Sequence, residues 1–256
     1  MDLGLKDRVA LVAASSSGLG LAVARALAAE GANLSICGRD PDKLAQAHVE
    51  VNAMGQGDVL SIPVDLRDER AAANWVRKTA ATFGRIDILV TNTGGVPFGP
   101  VDAFEVADYR SAVDANLLPH VSLTLAALPV LKKGGWGRIL MIASESVRQP
   151  HPESGLSSVA RLGLLGYMKG LVHALGPNGV TVNVLAPGFH RTPILDVQFG
   201  ADVEAELDRV AARIPIGRVG NVADFGAVAT FLAGEQASYI TGTVLLIDGG
   251  NTRGIS

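Results

Sequence analysis

The chain has 256 residues, of which 22 are Lys or Arg and 25 are Asp or Glu, so its formal net charge is −3. Charged residues make up 18% and hydrophobic residues 48%, whereas an average soluble domain has about 25% charged residues. This composition excludes a disordered chain and indicates a backbone buried on both sides. The near-neutral charge, without a basic cluster, argues against a nucleic-acid-binding or membrane-binding surface.

The first residues show no features of a targeting segment. Met1–Arg8 has early acidic residues and no apolar core, unlike a signal peptide. The apolar stretches of the sequence are shorter than the ~20 residues that a membrane helix needs. The single cysteine, Cys37, has no partner for an internal disulfide, and the five histidines show no metal-ligand spacing. We therefore expect a cytoplasmic protein without a membrane span or a metal site.

Short apolar runs alternate with longer helical patterns, such as Gly18–Glu30, along the whole chain. Most runs are continuously apolar, which is typical of strands covered on both faces of a parallel sheet. With crossover helices, this pattern predicts a doubly wound α/β fold in one domain, 1–256. A candidate lid at 189–215 holds a helical pattern at Ala201–Arg213. The predicted strands are Val9–Ala13, Asn33–Cys37, Val59–Val64, Ile86–Thr91, Arg138–Ala143, Val180–Ala186 and Val244–Ile247.

The first predicted strand ends in a glycine-containing turn. The segment from Ala14 to Gly20, Ala-Ser-Ser-Ser-Gly-Leu-Gly, joins this strand to a helix. Glycines at such a turn let the backbone approach a diphosphate, and the helix N-terminus offers free N–H groups to the anion. A tight turn without a ligand is the alternative. The position of the turn in the first strand–helix unit favours a dinucleotide cofactor.

This turn resembles that of the classical short-chain dehydrogenase/reductase family. The family's turn reads Thr-Gly-x-x-x-Gly-x-Gly, and here Ala13 and Ala14 stand at the Thr and Gly positions. The tail from Pro215 through Tyr239 to Asp248 is also similar to the family's C-terminal signature. The resemblance covers essentially the whole chain and implies a single-domain Rossmann-type fold, a doubly wound parallel sheet of seven strands. A methyl group at Ala14 constrains the turn without blocking it, unless a positive φ is required there.

Further motifs follow in the family's order. Asp65, after the third strand, matches the residue that contacts adenine; an ordinary acidic cap is the alternative. The sequence Asn-Thr-Gly at 92–94 resembles the family's Asn-Ala-Gly on the adenosine side. The segment Pro187–Thr192 is similar to the one that holds the nicotinamide carboxamide. The resemblance therefore implies cofactor contacts at Ala14, Ser16, Ser17, Gly18, Leu19, Gly20, Arg39, Asp65, Leu66, Asn92, Thr93, Gly94, Pro187, Gly188, His190 and Thr192.

The end of the second strand bears on which nicotinamide cofactor is bound. NAD-preferring proteins of this kind place an acidic residue there to hold the ribose hydroxyls. Here Gly38 leaves room for a phosphate, and Arg39 can pair with it in a bidentate manner. Asp40 is a competing candidate, but an Asp before Pro41 is a strong helix N-cap, which occupies its side chain. We therefore predict NADP(H), with NAD as the alternative.

The catalytic centre departs from the family's pattern, which is a Ser, a Tyr thirteen residues later and a Lys four residues beyond it. Ser144 fits the first position, but Ser157 and Arg161 stand at the other two. Residues four apart share a helix face, so both can still point at the site. A serine hydroxyl is a poorer acid than a phenol, and arginine stays protonated and cannot relay a proton. Asn116 matches the family's active-site Asn.

No neighbouring phenol takes the place of the missing Tyr. Tyr167 has its Lys two positions later, at Lys169, and lies on another helix face, so core or interface packing is the better interpretation. His190 lies in the segment beside the nicotinamide, and His151 and Glu153 lie in the loop that precedes this helix. These three are candidate proton donors, and for each loop histidine a solvated surface role is the alternative.

Two functions compete. The first is an NAD(P)(H)-dependent oxidoreductase that transfers hydride between nicotinamide and a small-molecule carbonyl or alcohol. In it Ser144 holds the carbonyl oxygen, Asn116 maintains a polar network, and Ser157 and Arg161 touch the nicotinamide ribose. The second, favoured by the missing Tyr, is a dinucleotide-binding or sensing protein without catalysis. A hydrolase is excluded because the chain has no Gly-x-Ser-x-Gly elbow.

Two long segments bear on assembly. Leu117–Leu131 and Ser158–Leu175 are apolar almost all round, as expected of helices buried on more than one side. In the family that the chain resembles, these helices pair across a twofold axis and the C-terminal segment forms a second interface. The resemblance therefore predicts a homotetramer; a monomer whose helices pack only on the sheet is the alternative.

Overall fold

The sheet has the predicted architecture. The structure, a computed structural model, describes residues 1–254. Within them it contains seven strands, paired in parallel in the order β3-β2-β1-β4-β5-β6-β7. The strands are β1 Val9–Val12, β2 Asn33–Gly38, β3 Val59–Pro63, β4 Ile88–Thr91, β5 Gly137–Ile142, β6 Val180–Pro187 and β7 Val244–Ile247.

Helices cover both faces of this sheet. Trp75, Leu123 and Met168, from α3, α5 and α6, belong to the hydrophobic core on one face. Val23 and Phe225, from α1 and α9, belong to the core on the other. In the described part of the chain the α-helices are α1 Gly18–Ala29, α2 Pro41–Asn52, α3 Glu69–Phe83, α4 Val106–Asn116, α5 Leu118–Gly134, α6 Gly155–Leu175, α7 Pro193–Phe199, α8 Val203–Ala211 and α9 Val222–Ala233.

The continuous apolar runs follow from this two-sided burial. In β1, Leu11 belongs to the first core and Val12 to the second, and both are fully buried. Successive side chains of a strand point to opposite faces, so a strand covered on both faces is apolar at every position. The pattern therefore predicted the strands to within one or two residues at each end; the largest difference is at β4, which begins at Ile88 rather than Ile86.

The start of α2 has the predicted cap. The carboxylate of Asp40 accepts hydrogen bonds from the main-chain N–H groups of Asp42, at 3.0 Å, and Lys43, at 3.1 Å. Pro41 is the first residue of the helix, where its fixed φ suits the helix and its missing N–H costs nothing. The side chain of Asp40 is therefore occupied by the helix.

The candidate lid, 189–215, contains two helices rather than one. The predicted helical pattern at Ala201–Arg213 corresponds to α8, whereas α7 was not predicted, because seven residues are too few to show a helical period. Arg191 links the two helices through ion pairs with Asp196 of α7, at 3.2 Å, and Glu204 of α8, at 2.9 Å.

One helical stretch, Val106–Gly134, comprises α4 and α5 and is long and apolar enough, by length and composition, to cross a membrane. Within this stretch α4 has 11 residues and α5 has 17, so each helix is shorter than the ~20 residues that a membrane helix needs. The core helix of a soluble protein passes the same test. In this fold, α5 packs against α3 and α4 packs against α6.

Candidate active site

A cavity of about 440 Å³ lies at the carboxyl ends of β1, β4 and β5. The strand order reverses between β1 and β4, and open α/β sheets bind their ligands at this point. The volume of this cavity is in the range of small-molecule sites, roughly 300–1,000 Å³. The predicted site residues that line it are Ala14, Ser16, Ser17, Gly18, Leu19, Arg39, Asp65, Leu66, Asn92, Thr93, Gly94, Arg161 and Thr192.

The turn between β1 and α1 exposes backbone to this cavity. The φ angles of Ala14 and Gly18 are +47° and +58°, so a positive φ is required at the alanine that replaces the family's glycine. A Cβ on Gly20 would lie 2.4 Å from the carbonyl oxygen of Ala14, which explains why that position is glycine. The side chain of Ser17 does not cap α1, so the first-turn N–H groups remain for an anion. The turn fits a diphosphate.

The end of β2 has space and positive charge beside this turn. A Cβ at Gly38 would lie 2.7 Å from Oγ of Ser16, so any side chain there, acidic ones included, requires Ser16 to move. Arg39 is exposed and lines the cavity, whereas the neighbouring Asp40 is held by α2. This end of the cavity therefore offers a cation and no free carboxylate from β2.

Asp65 follows β3 and binds Arg67. Nη2 of Arg67 lies 2.7 Å from Oδ2 of Asp65, and its Nε contacts both carboxylate oxygens. This hydrogen bonding lowers the pKa of the Asp65 carboxyl, and the nearby Arg39 lowers it further. Asp68, not Asp65, caps α3. Arg67 lines the cavity but was missed by the sequence analysis, although its position just beyond a parallel strand was a usable signal.

Arg161 is buried between the ends of β4 and β5. Its guanidinium donates hydrogen bonds to the carbonyl oxygens of Ile142, at 3.3 Å, Ala143, at 3.4 Å, and Gly94, at 3.3 Å. Among residues 1–254 no carboxylate pairs with it. Burial lowers the pKa of Arg161 to about 10, so it remains a cation at neutral pH. A fixed positive charge therefore faces the inner end of the cavity.

A buried polar cluster lies behind this arginine. Oγ1 of Thr93 donates to Oδ1 of Asn116 at 3.1 Å, and Nδ1 of His120 lies 2.7 Å from Oγ1 of Thr91. Burial, and to a smaller extent the charge of Arg161, lower the pKa of His120 to about 3, so its ring is neutral. Asn116 ends α4 and His120 lies in the first turn of α5; Pro119, at the start of α5, was the available signal of this helix break.

The two serines lie at either end of the loop between β5 and α6. Ser144 is half-buried, and its Oγ accepts a hydrogen bond from the N–H of Ser146 at 3.2 Å. Ser157, also half-buried, lies in the first turn of α6, one turn before Arg161. The common orientation of Ser157 and Arg161 toward the site stays a prediction, because Arg161 lines the cavity whereas Ser144 and Ser157 do not.

Comparison with known proteins identifies the family. Residues 13–252 match a family model described as enoyl-(acyl carrier protein) reductase. The D-beta-hydroxybutyrate dehydrogenase of Rhizobium meliloti (strain 1021) is 33% identical over 254 residues, which cover 96% of this chain and 98% of that protein. The chain belongs to the classical short-chain dehydrogenase/reductase family.

Solved structures of short-chain dehydrogenases/reductases superpose on nearly the whole chain. L-sorbose reductase from Gluconobacter frateurii, in complex with NADPH and L-sorbose, has a TM-score of 0.93 at 27% identity and covers 100% of both chains. A short-chain dehydrogenase/reductase from Serratia marcescens BCRC 10948 has a TM-score of 0.87 at 31% identity, over 96% of this chain and 98% of that one. The predicted Rossmann-type fold is confirmed.

For a short-chain dehydrogenase/reductase, the position of His190 matters because it lies beside the family's nicotinamide segment. The ring is buried; its Nδ1 lies 3.1 Å from the carbonyl oxygen of Gly188, and it packs edge-on against Phe225 with the centroids 5.7 Å apart. Burial lowers the pKa of His190. This geometry argues against His190 as a proton donor, and its contact with the cofactor stays a prediction.

In this short-chain dehydrogenase/reductase, His151 lies in the loop between Ser144 and α6 and, like Ser144, is not among the residues that line the cavity. Its Nε2 lies 2.8 Å from Oε1 of Glu145, the buried residue directly after Ser144. Glu153, the other candidate in this loop, is exposed. The sequence analysis missed Glu145, because its carboxylate meets the histidine only through the path of the loop; its position just beyond a buried strand was the available signal.

Proposed function

We propose that the protein is an NADP(H)-dependent oxidoreductase that transfers hydride between nicotinamide and a small-molecule carbonyl or alcohol. The observation that carries this proposal is the continuous cavity that runs from the uncapped N-terminus of α1 to Arg161 and the end of β5. A diphosphate fits one end of this cavity. The other end is lined by Ala143, the residue that precedes Ser144. The family membership of the chain supports the same reaction class.

Arg39 supports NADP(H) over NAD. It lines the cavity beside Gly38, without a competing carboxylate from β2, and a guanidinium binds phosphate in a bidentate manner. The L-sorbose reductase of similar fold was solved with NADPH. NAD is the alternative, since Arg39 is exposed and no hydrogen bond or ion pair within residues 1–254 holds its side chain in this orientation.

Each remaining residue has a role in this proposal. NADPH supplies the hydride. Ser144 donates a hydrogen bond to the carbonyl oxygen of the substrate, and Asn116, through Thr93, keeps the polar cluster behind the site in place. Ser157 and Arg161 contact the nicotinamide ribose, and Thr192 contacts the carboxamide. The positive charge of Arg161 also stabilises negative charge that develops on the substrate oxygen.

Binding without catalysis is the second candidate, and Ser157 favours it because a serine cannot replace the acidity of a phenol. Two measurements on the purified protein separate the two. Oxidation of NADPH in the presence of acetoacetate, acetoacetyl-CoA or L-sorbose supports the enzyme, whereas tight NADPH binding without any turnover supports the binding protein. We further propose a cytoplasmic homotetramer that acts on a small molecule, without nucleic-acid or membrane partners.

The cofactor assignment is tested by Arg39→Ala. We expect about 10- to 100-fold weaker binding of NADPH, since a hydrogen-bonded ion pair contributes about 1.5–3 kcal/mol, and unchanged binding of NADH, both measured by fluorescence titration. Arg25→Ala is the matched control, because Arg25 lies on α1 and pairs with Glu50 at 3.5 Å, away from the cavity. Unchanged NADPH affinity in Arg39→Ala contradicts the assignment.

A further inference from the structure

The loop between the two serines contains an ion pair that the reaction outlined above does not use. Nε2 of His151 lies 2.8 Å from Oε1 of Glu145. Glu145 is 3% exposed, and Nδ2 of Asn251 donates to both of its carboxylate oxygens at 3.1 Å. The carboxylate is therefore fixed by two neighbours, and it fixes one nitrogen of the histidine in turn.

The other side of the His151 ring is accessible. The side chain is 32% exposed, and its Nδ1 makes no hydrogen bond within residues 1–254. The ring packs edge-on against Phe189, with the centroids 6.2 Å apart. The preceding residue, Gly188, lies close to Glu145, since a Cβ added to Gly188 would be 2.9 Å from Oε2 of Glu145. His151, in the loop after β5, thus contacts the loop after β6, and both loops follow the carboxyl ends of strands, where this fold binds its ligands.

Four other titratable side chains are unsuited to donate a proton at neutral pH. His120 and His190 are buried, and burial lowers the pKa of both rings. Tyr167 is half-buried, and burial raises the pKa of its phenol. Arg161 is a buried cation whose pKa of about 10 keeps its protons in place. His151 alone among these five combines a carboxylate partner with a partly exposed ring whose second nitrogen makes no hydrogen bond within residues 1–254.

We propose that His151, oriented by Glu145, donates the proton to the carbonyl oxygen and so takes the role that the family gives to a phenol. This inference rests on the proposed function. In the reduction, the hydride from NADPH forms the new C–H bond, and the π electrons of the C=O bond move to oxygen. The oxygen takes the proton from Nδ1 of the imidazolium, which becomes neutral and regains a proton from solvent. In alcohol oxidation the neutral ring accepts the proton.

The charges around His151 set the direction of its pH dependence. The hydrogen bond that His151 donates to Glu145 raises the pKa of His151, whereas partial burial and the charge of Arg213, two residues beyond α8, lower it by less. The pKa therefore lies above the ordinary ~6.5 of histidine. The protonated form is the donor, so reduction is fast below this pKa and slows as the pH rises through it.

The test uses two separate single variants, His151→Gln and Glu145→Gln. Glutamine at position 151 can still donate a hydrogen bond to Glu145 but cannot transfer a proton. In His151→Gln we therefore expect about 10²–10⁴-fold slower reduction of acetoacetate, acetoacetyl-CoA or L-sorbose. The affinity for NADPH should not change. In Glu145→Gln the loss of negative charge moves the alkaline limit of the reduction rate to lower pH. His173→Gln, an exposed histidine near the end of α6, is the matched control and leaves rate and profile unchanged.

A readout independent of turnover is the NMR titration of the His151 ring in the protein without cofactor. We expect the midpoint of His151 to lie above the ordinary ~6.5 of histidine and to fall in Glu145→Gln. Two outcomes overturn this inference alone. In the first, the wild type and His151→Gln reduce a probe at the same rate. In the second, Glu145→Gln leaves the titration midpoint of His151 unchanged. A wild type that reduces none of the three probes overturns the proposed function and this inference with it.

Discussion

At the residue scale, Ala14 adopts a backbone conformation that disfavours its own side chain. Its φ of +47° lies in the left-handed region, which costs a residue with a Cβ about 1–2 kcal/mol, more than the roughly 0.5–1 kcal/mol that glycine loses in conformational entropy. We therefore predict that Ala14→Gly raises the free energy of unfolding by about 0.5–1 kcal/mol, as measured by urea denaturation.

Ala45→Gly is the control for this measurement. Ala45 is exposed in the interior of α2, where the backbone is helical, and glycine there costs about 1 kcal/mol. The two substitutions are chemically identical and should shift the unfolding midpoint in opposite directions. A loss of stability in Ala14→Gly equal to that in Ala45→Gly would show that the turn carries no strain at this position.

At the element scale, the first turns of α6 place Ser157 and Arg161 where the family has its Tyr and Lys. We predict that Ser157→Tyr with Arg161→Lys, introduced into the His151→Gln protein, raises the rate of acetoacetate reduction at least about tenfold, because a phenol next to a lysine again supplies an acid. The rate of NADPH oxidation measures this gain. Adding Ser144→Ala should abolish it, because the carbonyl oxygen loses its hydrogen-bond donor.

Arg161→Lys alone, introduced into the His151→Gln protein, separates the effect of the lysine from that of the tyrosine. It brings no acid, so it should restore no activity. It should also lower the free energy of unfolding by about 1–3 kcal/mol, because the buried carbonyl groups of Ile142, Ala143 and Gly94 lose donors. If the double exchange binds NADPH but stays as slow as His151→Gln, the side chain at 157 does not reach the substrate.

The elements themselves were readable from the sequence, and the side-chain clusters were not. A strand buried on both faces must be apolar throughout, and a glycine turn between strand and helix is contiguous in sequence, so β1, the turn and α1 could be predicted together. The pairs Glu145–His151 and Asp65–Arg67 depend on where loops direct their side chains. Composition and periodicity carry no information on those paths.

At the scale of the whole molecule, apolar side chains remain exposed on the helices that the family uses for assembly. Leu125 of α5 is 56% exposed, and Val159 and Leu162 of α6 are 50% and 43% exposed. Tyr239, before the edge strand β7, is fully exposed. Two separate apolar patches suit an assembly with two kinds of isologous interface.

We therefore predict that light scattering at micromolar concentration gives four times the mass of one chain. Leu125→Lys with Leu162→Lys should reduce this mass to that of a dimer, because lysines at the centre of the α5–α6 patch cannot be buried without a partner charge, while the patch at Tyr239 remains. Val49→Lys is the control, since Val49 is 68% exposed on α2, outside both patches, and should leave the mass unchanged. A monomeric mass for the unsubstituted protein contradicts the homotetramer, and an unchanged tetramer in the double lysine variant shows that the α5–α6 patch is not an interface.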